Sequence, residues 1–166
     1  MVLRSRWEAY RNLGDEAKAE QARQDLEHTG RLTEEAKKVY NEGVQLLKAG
    51  DEDGAYAKFQ EAVEFNPNLK VAQLAVATTA LKVGHNEEAA AAAQAILDEN
   101  PQDGDALRIR YNAYLALEDD EKLIEALVGM AALEPELARD GLWRLALEAY
   151  DAGDMAQSEV RFGKVL

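Results

Sequence analysis

The chain has 166 residues, enough for one compact domain or a short array of repeats, and contains no cysteine, which excludes disulfides, thiolate metal sites and a cysteine nucleophile. Its 32 acids against 19 bases leave a net charge of −13, so a phosphate backbone would be repelled unless a local basic stripe overcame the field, and no nucleic-acid partner is expected. The apolar runs are far shorter than the roughly 20 residues that span a bilayer, so a soluble protein, cytoplasmic or periplasmic, with no membrane partner is expected. There are only three prolines, Pro67, Pro101 and Pro135, and each is 34 residues from the next. A fixed period of that size marks a repeat array.

In chain order, the first stretch, about residues 1–34, superposes on a later one. A shift of 104 residues lays Leu3, Arg4, Arg6, Ala9, Tyr10, Leu13, Asp15 and Lys18 on Leu107, Arg108, Arg110, Ala113, Tyr114, Leu117, Asp119 and Lys122. Residues 36–69 divide into two helical stretches around Gly50. In the first, Val39, Gly43, Leu46 and Leu47 recur at three- and four-residue intervals, and in the second Ala55, Phe59, Ala62 and Val63 do the same. Gly50 suits the left-handed geometry that ends a helix, Asp51 suits the cap of the next, and Asn66-Pro67 ends that one because proline has no amide donor. Two antiparallel helices joined by a tight turn are expected.

Residues 70–103 repeat the scheme with Gly84, Ala89, Ala93 and Pro101. Residues 104–137 repeat it with Tyr111, Tyr114, Leu123, Leu127 and Pro135, although Glu118 stands where the turn glycine belongs. Residues 138–166 fit after a one-residue insertion, with Leu142, Leu145, Ala146 and Ala149, then Gly153, Ser158 and Phe162. Arg31 takes the proline's place in the first repeat, and the last repeat stops short of it. The 104-residue shift, together with Ala152-Gly153-Asp154 and Phe162 copying Ala49-Gly50-Asp51 and Phe59 at a distance of 103 residues, suggests a truncated window of a longer array.

With Ala55, Phe59 and Pro67 at the positions of its A-x3-F and later proline, the second unit resembles a tetratricopeptide repeat, and the resemblance covers nearly the whole chain. It implies an all-α fold, a right-handed α-solenoid of antiparallel helix pairs forming a single array over residues 1–166. It also implies a protein-interaction scaffold whose first helices line a concave groove for a peptide or protein. The matching outward positions are Arg4, Glu8 and Arg11, then Tyr40, Val44 and Leu47, then Leu74, Thr78 and Leu81. Next come Arg108, Asn112 and Leu115, and finally Trp143, Leu147 and Tyr150. Aromatic and arginine side chains are the usual interface anchors, which singles out Tyr40, Arg108, Trp143 and Tyr150. Some members of the family clamp the acidic tails of chaperones, and Arg108 and Asn112 fit two of those places, but Tyr40, Val44 and Ala75 stand where the other clamp residues belong.

No enzyme is expected, since phosphate loops, serine elbows and HExxH motifs are absent. His28 reads as part of a polar helix end and His85 as a cap or solvated residue. The acid clusters Asp51-Glu52-Asp53 and Glu118-Asp119-Asp120-Glu121 lack the ligand pattern of a calcium loop and suit first turns of helices, so no metal or cofactor is expected. Two further readings stand beside the scaffold. One is a regulatory or recruiting arm of a larger enzyme or secretion machine, and the other is self-association end to end through uncovered terminal helices, with Val160, Val165 and Leu166 exposed. The bulky Trp7 and Tyr111, at positions where small residues let helices approach, are expected to widen local packing.

Overall fold

The computed structural model describes residues 6 and 9–165, without the side chain of Leu26. Residues 9–12 are helical and turn at Gly14 into the first long element. From there the order is α1 (Glu16–Lys48), α2 (Glu52–Phe65), α3 (Lys70–Lys82), α4 (Asn86–Glu99), α5 (Gly104–Ala116), α6 (Asp120–Met130), α7 (Pro135–Asp151) and α8 (Met155–Gly163). The described residues contain no strand.

The turns between paired helices share one chemistry. Gly50, Gly84 and Gly153 have φ of +84°, +83° and +81°, the left-handed region that glycine enters without a Cβ penalty. Each is followed by an N-cap residue, and Asp51 and Asp154 accept the amides of Gly54 and Gln157. Asp119 caps α6 in the same way. The Lys122 amide, followed by the Lys122 ammonium, holds its carboxyl below the ordinary range. His85 sits at the cap position of α4 but makes no capping bond. At the helix ends, α2 stops at Phe65 before Asn66-Pro67, and α4 stops at Glu99 before Asn100-Pro101.

Glu118 is the exception among the turns, a non-glycine residue at φ +54°. A side chain there costs about 1–2 kcal/mol, partly offset by the smaller chain entropy of glutamate in the unfolded state. Glu118→Gly should therefore stabilise the protein by about 0.5–1 kcal/mol. Urea unfolding should show a higher midpoint at unchanged slope; a lower midpoint would sink the account.

The largest departure from expectation is α1. Under the 104-residue shift, residues 16–26 correspond to α6, and residues 27–30 to the 131–134 turn that separates α6 from α7. In that turn the amides of Leu133 and Glu134 both bond the Met130 carbonyl before Pro135 opens α7. Residues 27–30 instead remain helical, so the boundary expected between the first two repeats falls inside one 33-residue helix, and exposed His28 lies within it rather than at an end. The physical reason is Arg31, which keeps the amide that Pro135 lacks and lets the ladder run on.

The chain forms two compact units, residues up to 72 and residues 73–166. In the first, α2 packs against α1, and Val39, Ala62 and Ala72 form a core joined by Tyr40, Val63, Phe65 and Leu69. Gly43 permits the close approach, since a Cβ there would lie 2.7 Å from Cε1 of Phe59. In the second unit, α4 packs on α5, α5 on α6, α6 on α7 and α7 on α8. Its core is Leu123, Ile124, Leu127, Leu142 and Leu145, with Tyr111, Tyr114 and Val165 packed against it.

Candidate functional site

Each first helix carries a stripe at i, i+4 and i+7, a spacing that puts three side chains on one face. What the stripes present differs sharply along the chain. On α1, Tyr40, Val44 and Leu47 are half-buried, and the Tyr40 ring rests on Phe59 with centroids 5.3 Å apart. Tyr40 therefore contributes mainly to the core of its own unit. On α3, Leu74 and Leu81 are half-buried and Thr78 is exposed.

The second unit has two open stripes. On α5, Arg108, Asn112 and Leu115 are all exposed. On α7, Trp143 is 51% exposed, Leu147 40% and Tyr150 53%, which makes this the most apolar open helix face of that unit. Trp143 meets the ring of Phe162 edge-on at 4.9 Å, so its indole is steadied by α8 while one side stays open. Arg4 and Glu8 lie outside the described residues. Arg11 is exposed near the N-terminus.

The arginines near the open stripes are already engaged. Arg108 reaches Glu134, the N-cap residue of α7, at 2.7 Å, and stands 4.0 Å from Asp105. Arg139 pairs with Asp140 at 2.9 Å and Arg144 with Glu148 at 2.8 Å. Glu118, Glu136 and Asp151 are exposed and have no basic partner among the described residues.

A different stripe distinguishes the two units. On α5, Ala106, Ile109 and Ala113 are buried, and Arg110 on the same side bonds Gln94 of α4 at 2.8 Å, so this face receives α4. Two repeats earlier, 68 residues upstream, the same places on α1 hold Lys38, Asn41, Glu42 and Gln45, all exposed. Where later first helices stack, α1 is polar.

At the other end, Val160 is 62% exposed over a shallow cleft between α6 and α8, also lined by Ile124, Ala156 and Arg161. Val165 is half-buried on the core, and Leu166 lies outside the described residues. Arg161, which nothing in the repeat pattern singles out, is 7% exposed and donates to the Leu145 carbonyl at 2.9 Å and to Gln157 at 2.8 Å. It also pairs with Asp120 at 3.3 Å, tying α8 to α6. The available signal was its place three residues beyond Ser158, on the buried side of α8.

No family model matches the sequence, and neither does any curated protein. Solved structures do match. A 41-to-end form of MamA from Desulfovibrio magneticus RS-1 superposes with a TM-score of 0.58 at 22% identity, over 99% of this chain and 91% of that one. A double mutant of the RS-1 MamA gives 0.59 at 22%, over 99% and 90%. A thermophilic tetratricopeptide-repeat protein of Thermus thermophilus gives 0.51 at 22%, over 79% and 73%.

The chain has the tetratricopeptide-repeat fold. Its helices are those of an all-α solenoid, and α1 with α2, α5 with α6 and α7 with α8 pack as consecutive pairs. In a tetratricopeptide-repeat framework, α5 and α7 are first helices, so the open stripes at Arg108, Asn112, Leu115 and at Trp143, Leu147, Tyr150 occupy equivalent places. No helix of the described residues is long and apolar enough to cross a membrane.

Proposed function

We propose that this chain is a non-catalytic scaffold that holds a peptide or protein segment against the first-helix stripes of α5 and α7. The observation that carries the proposal is the exposure of Trp143, Leu147 and Tyr150 on one face of α7. Large apolar side chains aligned at i, i+4 and i+7 and left in water are a ready set of anchors. Leu115 at 42% exposure extends the apolar surface onto α5. Arg108, held by Glu134, and Asn112 would frame its edge. Leu74 and Thr78 hold the corresponding positions on α3, with a smaller share of contact assigned to half-buried Leu74, and Tyr40, Val44 and Leu47 hold them on α1 in the first unit.

The test is a partner recovered by pull-down and then titrated against variants. Trp143→Ala and Tyr150→Ala should each weaken binding by about 2 kcal/mol, roughly thirtyfold. Substitutions at Gln60 or Gln94 on second helices should leave affinity unchanged. Equal affinity of all four variants would remove the site.

A further inference from the structure

We propose that the segment taken up by the α5–α7 stripes is basic, with apolar anchors separated by lysines or arginines. This rests on the groove reading above and adds the chemistry of the ligand. Residues 73–166 carry 8 lysines and arginines against 18 aspartates and glutamates, a net of −10 out of the −13 for the whole chain. The field around the stripes is thus strongly negative.

Local pairing sharpens this. Arg108 of the α5 stripe and Arg139 and Arg144 of α7 are each held by an acid of the protein itself at 2.7 to 2.9 Å. An acidic ligand could recruit Arg108 only by drawing it from Glu134, which would leave that carboxylate beside the incoming negative charge. A basic ligand breaks nothing. It finds Glu118 beyond the end of α5, Glu136 in the first turn of α7 and Asp151 beside Tyr150, each without a basic partner among the described residues.

Exposed pairs of this kind are individually weak, so the apolar anchors supply most of the affinity. The charges act through selectivity and association rate, and both fall as salt screens them. Charge thus sets which peptide is chosen, and Trp143 and Tyr150 set how tightly.

The experiment uses the full chain carrying Trp7→Phe, which leaves Trp143 as its one tryptophan. Two synthetic amphipathic peptides with the same leucines serve as probes, one with lysine and one with glutamate at every polar position. Binding is followed by the anisotropy of a fluorophore on the peptide, and Trp143 emission is recorded beside it, at about 50 mM and about 500 mM NaCl, conditions whose screening lengths differ roughly threefold. The lysine peptide should bind at least about tenfold tighter at low salt, with a smaller advantage at high salt. The triple variant Glu118→Gln, Glu136→Gln, Asp151→Asn should also shrink the advantage, while Tyr150→Ala should weaken the lysine peptide at both salt concentrations.

A glutamate peptide that binds as tightly as the lysine peptide, with Tyr150→Ala weakening both, overturns the charge inference and leaves the groove standing. A lysine peptide whose binding ignores Tyr150→Ala and leaves Trp143 emission unchanged overturns the groove reading itself.

Discussion

Phe59→Ala should destabilise the first unit by about 3–5 kcal/mol, the range for emptying a fully buried aromatic site. Phe59 is 1% exposed, and it fills the space between α1 and α2. Two features prevent that space from closing after truncation. Gly43 faces the ring with no side chain to extend into the gap, and Tyr40, centred 5.3 Å from Phe59, loses its support. The lost contact and the cavity therefore add. Gly43→Ala alone puts a methyl 2.7 Å from Cε1 of the ring, a clash opposed by alanine's better helix propensity of about 1 kcal/mol. In the Phe59→Ala background the same methyl enters the cavity and should recover part of the loss. Urea unfolding of the four proteins in this cycle measures the coupling. A cost below about 1 kcal/mol for Phe59→Ala, or strict additivity with Gly43→Ala, would contradict this packing.

Most of the fold was legible because the turns are written in residues with one physical use. Gly50, Gly84 and Gly153 announce left-handed helix ends, and the aspartates after Gly50 and Gly153 announce caps. Glu118 was visible as an exception, and the structure shows it forced into the same conformation. The fused helix α1 was written at Arg31, yet a missing proline is a weak signal. It removes a stop without stating that the helix continues, and the strong likeness of residues 3–18 to residues 107–122 argued for a regular pair. The stripes were legible as positions. Whether a stripe is open depends on contacts distant in sequence: Phe59 covers Tyr40 from 19 residues away, and Glu134 reaches Arg108 from 26.

The polar face of α1 bears on self-assembly. Open-ended stacking needs two complementary ends, and hydrophobic burial supplies its driving force. Lys38, Asn41 and Gln45 replace the small and apolar Ala106, Ile109 and Ala113 that let α5 receive α4, and Glu42 replaces Arg110, so a chain stacking there would have to desolvate four polar side chains.

Leu127→Ala and Phe162→Ala should differ although the two residues hold the same place in successive repeats. Leu127 is fully buried, and a Cβ on Gly141 would lie 2.8 Å from its Cδ2, so α7 presses directly on its side chain. Leu123, Ile124, Leu142 and Leu145 complete the cluster. Truncation at this site should cost about 2–5 kcal/mol, with the upper part of the range favoured because a glycine backbone cannot fill the cavity. Phe162 is half-buried, and its ring contact is Trp143 at 4.9 Å, which is itself half in water. Phe162→Ala should cost about 1–2 kcal/mol, because part of its apolar area is already wet in the folded state. Its second effect is functional: without the ring that steadies it, the Trp143 indole loses its preset orientation, and ligand affinity should fall even where stability is little changed. Leu127→Ala should lower the unfolding midpoint much more while leaving ligand affinity near wild type below the transition. Similar midpoints for the two variants would mean that the position, rather than the packing, sets the energy.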